Sequence, residues 1–189
     1  MALFTGKGDG GTTTVFDSKE RISKSSALPE CLGTLDELNS FIGLARVRAR
    51  DGADPEINTG GADKRTSEIL RAVQENLFIV QAETAGADKR LERAKTEEAE
   101  AIIRAIEKTI PPITAFSVAG GTELSALLDV VRTLVRRTER RMSAVEGAEL
   151  RTFSDGTKAY MNRLSTLLFA LARLANFAEG VKEENPSYT

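Results

Sequence analysis

Three arginines recur at intervals of four residues in the run VRTLVRRTERR, at Arg132, Arg136 and Arg140, with Glu139 beside the last of them. On a helix this spacing puts three guanidinium groups on one stripe, where like charges repel. Arginine also binds phosphate through two parallel hydrogen bonds and tolerates burial better than lysine. The stripe predicts a multiply charged anionic ligand, most simply a polyphosphate; a solvated face paired with acidic neighbours is the alternative.

The N-terminal segment TGKGDGGTTT, residues 5–14, is the second candidate for chemistry. Its glycines allow left-handed backbone conformations in which amides can face an oxyanion, while Lys7 adds charge and the threonines add hydroxyl donors. The spacing of Gly6, Gly8 and Gly11 matches a dinucleotide fingerprint, but only five residues precede it, too few for the strand that this motif requires. A phosphate-binding loop and a flexible arm are the two interpretations that remain.

Four further side chains are weaker candidates. Asp36 and Asn39 stand three apart, off the apolar stripe of their helix, which favours a surface position for both. Asn162 lies about one turn from leucines expected in the core, where a polar residue is more often a packing feature than a ligand. Phe116 lies in a loop before a Gly-Gly pair. Its ring could be buried as a core anchor or could cover a flat ligand as an aromatic lid.

Composition excludes several classes of site. The chain has no histidine, which rules out Ser-His-Asp and Cys-His catalysis, and its one cysteine, Cys31, can form neither an intrachain disulfide nor a thiolate zinc site. The net charge of −2 argues against general polyanion binding, so an anion site has to be a local cluster. Neither a signal peptide nor a membrane span of roughly 20 apolar residues is recognisable. We expect a cytoplasmic protein.

Apolar residues at helical spacing predict five helices that position these groups. The first begins with the capping-box sequence Thr34-Leu-Asp-Glu37, and the others cover about residues 66–84, 96–110, 122–145 and 155–178. Residues 51–64 form a loop by composition, and a short extended piece is expected around Thr14–Phe16. A chain of 189 residues suits one all-α domain, with an irregular arm (1–30), a five-helix up-and-down bundle (31–180) and a flexible tail (181–189).

Six motifs in order give the chain a resemblance to a known family. They are TGKGDGGTT at the start, Lys24 in RISK, GTLDELNSFIGLA at 33–45, AGGTELSALL at 119–128, RTLVRRTERR at 132–141 and NRLSTLLFALAR at 162–173. From Thr5 to about Asn176 the chain resembles the PduO-type ATP:cob(I)alamin adenosyltransferases. The resemblance implies a homotrimer of five-helix bundles with active sites between subunits. It also implies that the 5′-deoxyadenosyl group of ATP passes to cob(I)alamin with release of triphosphate, Mg²⁺ being held mainly by the ATP phosphates.

The resemblance further implies roles for individual residues. The ATP-binding positions are Thr5, Gly6, Lys7, Gly8, Thr13, Thr14, Lys24, Arg136, Glu139, Arg140 and Asn162. Asp36 corresponds to an aspartate that pairs across the subunit interface with the arginine at the Arg136 position. Phe116 corresponds to the cobalamin-binding aromatic residue that helps displace the lower axial ligand of the corrinoid. Arg136, Arg140, Asp36 and Phe116 are therefore the expected catalytic residues.

The chain departs from the family pattern at Lys7, Ala119, Leu128 and Thr166, where threonine, proline, histidine and aspartate are the frequent residues. We expect the changes at 119 and 128 to loosen the corrinoid side of the site. Expected partners are a flavoprotein reductase and an adenosylcobalamin-dependent acceptor enzyme, with no nucleic acid and no membrane. Two alternatives are a regulatory bundle that binds ATP or polyphosphate without catalysis, and a purely structural trimeric bundle.

Overall fold

The computed structural model describes residues 4–16 and 18–188. Over these residues the chain forms five helices: α1 (Ala27–Asp51), α2 (Thr66–Ala85), α3 (Arg93–Thr109), α4 (Glu123–Gly147) and α5 (Asp155–Ala178). Two small antiparallel hairpins complete the described elements: β1 (Thr12–Thr13) with β2 (Ile22–Ser23), and β3 (Glu56–Asn58) with β4 (Asp63–Arg65). The predicted all-α bundle is confirmed.

The helices pack in the spatial order α2, α1, α4, α5, α3, with the hairpin β3–β4 contacting both α2 and α3. Ion pairs fix α1 antiparallel to α4: Arg48 pairs with Glu123 at 2.7 Å, and Glu30 at the other end of α1 pairs with Arg141 at 3.1 Å. The helices enclose one apolar core. Cys31 is part of it, fully buried, and burial raises the pKa of its thiol to about 12.

Local sequence signals set most helix ends. Thr122 caps α4, its hydroxyl oxygen accepting a hydrogen bond from the Ser125 amide at 3.1 Å. Gly86 ends α2 with a φ of +107°, a conformation that glycine adopts without strain. The proline pair Pro111-Pro112 follows the end of α3, because proline cannot continue the helical hydrogen-bond ladder. These three predicted boundaries are confirmed.

The predicted start of the first helix is wrong. Helix α1 begins at Ala27, inside the segment assigned to the arm, with Ser26 before it and Pro29 in its first turn, where proline is tolerated. The hydroxyl of Thr34 donates to the carbonyl oxygen of Glu30 at 2.7 Å, so this threonine lies within the helix and caps nothing. A capping-box pattern inside an apolar periodicity therefore gave a false start.

Two predictions about extended structure also need correction. The segment 51–64, expected to be an irregular loop, contains the hairpin β3–β4, whose Ile57 is buried. The extended piece expected around Thr14–Phe16 lies earlier, because Thr12 and Thr13 form the strand that pairs with β2. None of the helices in the described ranges is long and apolar enough to cross a membrane.

Candidate functional site

The arginines of α4 divide into two groups according to their partners. On the flank that faces α1, Arg137 donates to the carboxylate of Glu37, and Arg141 pairs with Glu30 at 3.1 Å. Both arginines therefore join α4 to α1. A solvated, acid-paired face is the correct description for this flank, since all four side chains are between two fifths and one half exposed.

On the flank that faces away from α1, the arginines differ in whether they have an ion-pair partner. Arg132 pairs with Asp129 at 3.1 Å and lies over the ring of Phe169, 5.9 Å from its centroid. Arg136 and Arg140 are exposed, and neither forms an ion pair with any residue that the structure describes. Arg140 donates to the backbone oxygen of Arg136 at 3.0 Å. Two adjacent guanidinium groups thus remain available to an external anion.

Glu139 is the carboxylate that lies near these two arginines. Burial raises its pKa, and this effect is opposed by a hydrogen bond from Asn162 and by the charges of Arg136 and Arg140. Asn162 on α5 also accepts a hydrogen bond from Arg163 at 2.9 Å. Arg136, Glu139 and Arg140 on α4 therefore form one cluster with Asn162 on α5.

A cavity of about 440 Å³ adjoins this cluster between α4, α5 and the loop that precedes α4. Its lining residues are Ile113, Ala115, Phe116, Ser117, Arg132, Arg136, Ser165, Thr166 and Phe169. Phe116 is 80% exposed, so its interpretation as a core anchor is wrong. The structure therefore places an exposed aromatic ring and the Arg136 guanidinium in one cavity, which offers an apolar surface next to a cation.

Hydrogen bonds hold the loop that carries Phe116 on both sides of this residue. Arg173 on α5 donates to the carbonyl oxygen of Pro111 at 2.9 Å and pairs with Glu183 at 2.7 Å. The next tail residue, Glu184, accepts a hydrogen bond from the amide of Val118 at 2.8 Å. The C-terminal tail, expected to be flexible, thus contacts the loop and is joined with it to α5.

Asn176 holds the end of the same loop. Its side chain donates to the carbonyl oxygen of Gly120 at 3.1 Å and accepts from the amide of Thr122 at 2.9 Å. Gly121 has a φ of +99°, and a Cβ at this position would overlap the side-chain oxygen of Asn176. Glycine is therefore required here by backbone conformation and by close approach. The two constraints explain why a Gly-Gly pair precedes α4.

The N-terminal arm forms a compact loop around Arg21. The Arg21 guanidinium donates to the carbonyl oxygen of Lys7 at 2.5 Å, and to the hydroxyl and carbonyl oxygens of Thr12, each at 2.8 Å. The amide of Lys24 donates to the carbonyl oxygen of Gly11 at 3.0 Å, and the Lys24 ammonium lies 3.0 Å from the position that a Cβ on Gly8 would occupy. The structure thus brings Lys24 to the glycine-rich segment.

Among the described residues, the hydroxyl groups of Thr5 and Thr13 form only local contacts, unlike the Thr12 hydroxyl, which Arg21 holds. Thr5 accepts a hydrogen bond from the amide of Lys7 at 3.4 Å, and Thr13 donates to the carbonyl oxygen of Thr14 at 3.4 Å. Gly6, with a φ of +68°, adopts the left-handed conformation expected of this segment. These contacts are long and exposed, so a ligand can replace them at little cost.

Within the described part of the chain, no hydrogen bond or ion pair joins the arm to Arg136, Arg140 or Phe116. The residues after the arm loop instead line a cavity with Gly86, Leu150 and Arg151, beyond the far end of α4. The predicted site residues of the arm and those around Arg136 are therefore separate in a single chain.

Asp36 and Asn39 differ from each other. The carboxylate of Asp36 is exposed on α1, and no ion pair involves it among the residues described. Asn39 is only 8% exposed, so its predicted surface position is wrong; its backbone oxygen accepts a hydrogen bond from Gln74 at 3.2 Å. The contact between α1 and α2 buries Asn39, which periodicity in a single helix did not reveal.

Two residues that organise these groups were missed from the sequence, Arg21 and Asn176. Arg21 is the first residue of the RISK motif, so a cation three positions before Lys24 was an available signal. Asn176 carries no such signal, because its partners lie more than 50 positions earlier in the chain. Over residues 4–16 and 18–188 no group of three or more acidic or cysteine side chains is placed to hold a metal ion.

Comparison with known proteins identifies similar chains. The profile of the family described as cobalamin adenosyltransferase matches residues 3–175. The corrinoid adenosyltransferase of Bacillus subtilis is 36% identical over 185 residues, which are 96% of this chain and 90% of that protein. The corrinoid adenosyltransferase PduO of Salmonella typhimurium is 35% identical over 180 residues, 92% of this chain but 49% of that longer protein.

A solved structure has the same fold. It is a variant of the PduO-type ATP:corrinoid adenosyltransferase from Lactobacillus reuteri complexed with cobalamin and ATP. Its TM-score to this chain is 0.83 at 26% sequence identity, and the match covers 98% of this chain and 97% of that one.

Proposed function

Because the chain belongs to the cobalamin adenosyltransferase family, we propose that it transfers the 5′-deoxyadenosyl group of ATP to cob(I)alamin, giving adenosylcobalamin and triphosphate. The observation that carries this proposal for the chain's own residues is the pair Arg136 and Arg140. Their guanidinium groups have no ion-pair partner in the described structure, and they adjoin a cavity that contains the exposed ring of Phe116.

The reaction makes demands that these residues meet. The cobalt of cob(I)alamin attacks C5′ of ATP, the C5′–O bond breaks, and its electron pair leaves with the triphosphate. The nucleophile needs no deprotonation, so the absence of histidine from the sequence is no obstacle. Arg136 and Arg140 stabilise the charge that develops on the leaving group, an effect that is strongest for donors held in place before the reaction.

The N-terminal arm completes the phosphate site in this proposal. Thr5, Gly6, Lys7 and Gly8 supply amides, hydroxyls and charge on one side of the triphosphate, and Lys24 supplies a second cation. Arg21 holds the carbonyl oxygens of Lys7 and Thr12, which keeps the loop folded before ATP arrives. Thr13 and Thr14 extend the loop.

Mg²⁺ enters this proposal as a companion of ATP. When bound, it neutralises phosphate charge, as in other polyphosphate reactions. Mg²⁺ prefers phosphate oxygens and water to a cage made only of protein groups. In this proposal the ATP phosphates therefore hold most of the coordination sphere of the ion.

We propose that the active site is completed between subunits of a homotrimer. Among the described residues of one chain, no hydrogen bond or ion pair joins the arm to Arg136 or Arg140, and the exposed carboxylate of Asp36 has no ion-pair partner. An ion pair between Asp36 of one subunit and Arg136 of the next would satisfy both groups. Leu44, Val47 and Val130 are 43–53% exposed on α1 and α4, which supplies apolar surface for such an interface.

Phe116 acts on the corrinoid in this scheme. Its ring would pack under the macrocycle and exclude the lower axial ligand, which makes the cobalt easier to reduce. A flavoprotein reductase would supply the electron, and an adenosylcobalamin-dependent enzyme would accept the product. We place the reaction in the cytoplasm.

The direct test is incubation of the purified chain with Mg-ATP and chemically reduced cobalamin. We expect the absorbance change of adenosylcobalamin formation with an equal amount of triphosphate. ATP binding without either product would favour the non-catalytic ATP-binding bundle. A protein that binds neither substrate, and whose thermal unfolding Mg-ATP does not shift, would be the purely structural bundle.

A further inference from the structure

The bundle contains a second cavity, which the proposed reaction does not use. Helix α2 packs against α1 and helix α3 packs against α5, while the hairpin β3–β4 connects the two outer helices. A gap of about 180 Å³ remains between α2, α3 and α5. The facing side chains Ala72 on α2 and Ala99 on α3 are small, which explains why the helices do not close this gap.

The walls of the gap are apolar. They are formed mainly by Ile69, Ala72, Val73, Ala99, Ile102 and Leu167. For comparison, an engineered aliphatic cavity of about 150 Å³ in another protein stays dry and binds benzene. The gap is somewhat larger, so its size suits a ring with one or two small substituents.

The floor of the gap is polar and buried. Asn76 donates a hydrogen bond to the hydroxyl oxygen of Tyr160 at 3.1 Å, and the two residues are 8% and 1% exposed. No hydrogen bond between described residues uses the hydroxyl proton of Tyr160 or the side-chain oxygen of Asn76. One donor and one acceptor are thus left side by side in an apolar cavity, where an unpaired polar group is unfavourable.

The charges at the mouth of the gap are paired with each other. The Lys64 ammonium contacts the Glu98 carboxylate at 2.5 Å, and Lys95 lies 3.7 Å from the same carboxylate. These hydrogen bonds and charges lower the pKa of Glu98, so it stays ionised at neutral pH. Since Glu68 also lines the mouth, the lysines and glutamates there balance, and the interior favours an uncharged ligand.

We propose that this gap is a binding site for a small uncharged ring compound that carries one hydroxyl group, of the size of a methylphenol. The hydroxyl accepts a hydrogen bond from Tyr160 and donates one to Asn76, while the ring packs between Ile69 and Ile102. Burial raises the pKa of Tyr160 to about 12, so its hydroxyl keeps the proton that this contact needs. The site shares no lining residue with the cavity at Phe116.

The test is a titration of the full chain with 4-methylphenol, followed by NMR of ¹³C-labelled isoleucine methyl groups. We expect saturable shifts at Ile69 and Ile102, and none at Ile42, which is buried in the core on α1 and does not line the gap. Toluene, which lacks the hydroxyl, should bind about tenfold more weakly. Absence of saturable shifts at Ile69 and Ile102 would overturn the proposal.

Two variants with matched controls make the test specific. Ala72→Leu should abolish the shifts by filling the opening, whereas Ala144→Leu, at an exposed position of α4, should leave them unchanged. Tyr160→Phe should weaken 4-methylphenol binding five- to tenfold but not toluene binding, and Tyr188→Phe, where the ring is 82% exposed, should change neither.

The opposite results would be decisive. Undiminished shifts in Ala72→Leu would place the compound outside the gap, and undiminished binding by Tyr160→Phe would refute recognition of the hydroxyl. If Ala72→Leu fails to fold, Ala99→Leu fills the gap from the other wall and is held to the same expectation. None of these experiments measures adenosylation activity, so their outcome tests the ligand site independently of the proposed function.

Discussion

Adjacent arginines on the two flanks of α4 have different partners. Arg137 and Arg141 meet Glu37 and Glu30 of α1, so their charges are used within the protomer. Arg136 and Arg140, one position earlier in each case, contact no carboxylate as an ion pair in the described ranges. The difference arises from the neighbouring helix, because α1 presents glutamates to one flank only.

This comparison shows why an arginine-rich helix is a poor predictor of binding until its neighbours are known. A paired arginine is neutralised and contributes little to attracting an anion, whereas an unpaired one keeps its full charge and its hydrogen-bond donors. Four variants can test whether the two flanks are as different in function as they are in their partners.

The largest effect is expected from loss of the unpaired flank. Arg136→Ala and Arg140→Ala should each lower the rate of adenosylation about 10²–10³-fold, because each removes a donor to the departing triphosphate. The free energy of unfolding of the single chain should change by less than about 0.5 kcal/mol, since neither arginine forms an ion pair with a described residue of the same chain. Adenosylcobalamin absorbance and urea unfolding measure the two quantities; full activity in either variant would refute the assignment.

A smaller effect is expected from the arm. Arg21→Ala should raise the KM for ATP about tenfold and lower kcat less, because the loop at Lys7 and Thr12 loses its preorganisation but the α4 arginines remain. Arg21→Lys should rescue this only in part, since one ammonium cannot replace the forked guanidinium. The exposed Arg50→Ala is the matched control. An unchanged KM would mean that the arm needs no internal support.

The paired flank should respond in stability rather than in activity. Arg137→Ala and Arg141→Ala should each lower the free energy of unfolding by about 0.2–1 kcal/mol, the range for partly exposed ion pairs. The loss should shrink in high salt, and adenosylation should stay within about twofold of the unmodified protein. A large loss of activity with unchanged stability would erase the distinction between the flanks.

The smallest effect concerns Glu139, between the two unpaired arginines. Burial raises the pKa of Glu139 in the folded protein, so the folded protein binds this proton more tightly than the unfolded chain does. Protonated Glu139 therefore contributes its full stabilisation at pH values below the pKa of the unfolded chain, about 4.3. This contribution is lost as the pH rises through the pKa of the folded protein. Relative to Glu139→Gln, the protein should therefore lose unfolding free energy as pH rises through this acidic window.

Urea unfolding of both proteins at fixed concentration and at intervals between pH 4 and 7 measures this difference. In an Arg136→Ala background the fall should extend to higher pH, because removal of the guanidinium raises the pKa of Glu139 further. A difference that is constant with pH, or that changes in the opposite direction, would show that burial does not govern this carboxylate.

Helix positions could be predicted where the signals are local. The spans of α2 and α4 follow from apolar periodicity with Gly86 and Thr122 as end signals, and that of α5 follows from periodicity. The start of α1 could not be predicted, because the sequence around Thr34 has the form of a helix cap but lies inside the helix. Single-helix patterns cannot tell a cap from an interior hydroxyl that bonds back to the preceding turn.

The site was predictable in composition but not in arrangement. Spacing identified the arginine stripe and the glycine-rich arm, and family resemblance singled out Arg136 and Arg140. The fate of Arg137 and Arg141 depends on α1, about 100 positions earlier in the chain for Arg137. The burial of Asn39 against Gln74 depends likewise on a neighbouring helix. Contacts of this kind lie beyond any local pattern.

The burial of Cys31 has a practical consequence for kinetics. Its thiol is the one cysteine sulfur in the sequence, lies fully inside the core near Glu30 and Arg141, and is held protonated by its raised pKa. The thiolate is the form that attacks thiol reagents, so the native protein should react only when the start of α1 opens away from α4. The rate of modification at Cys31 thus measures how often this helix pair opens, without any introduced probe.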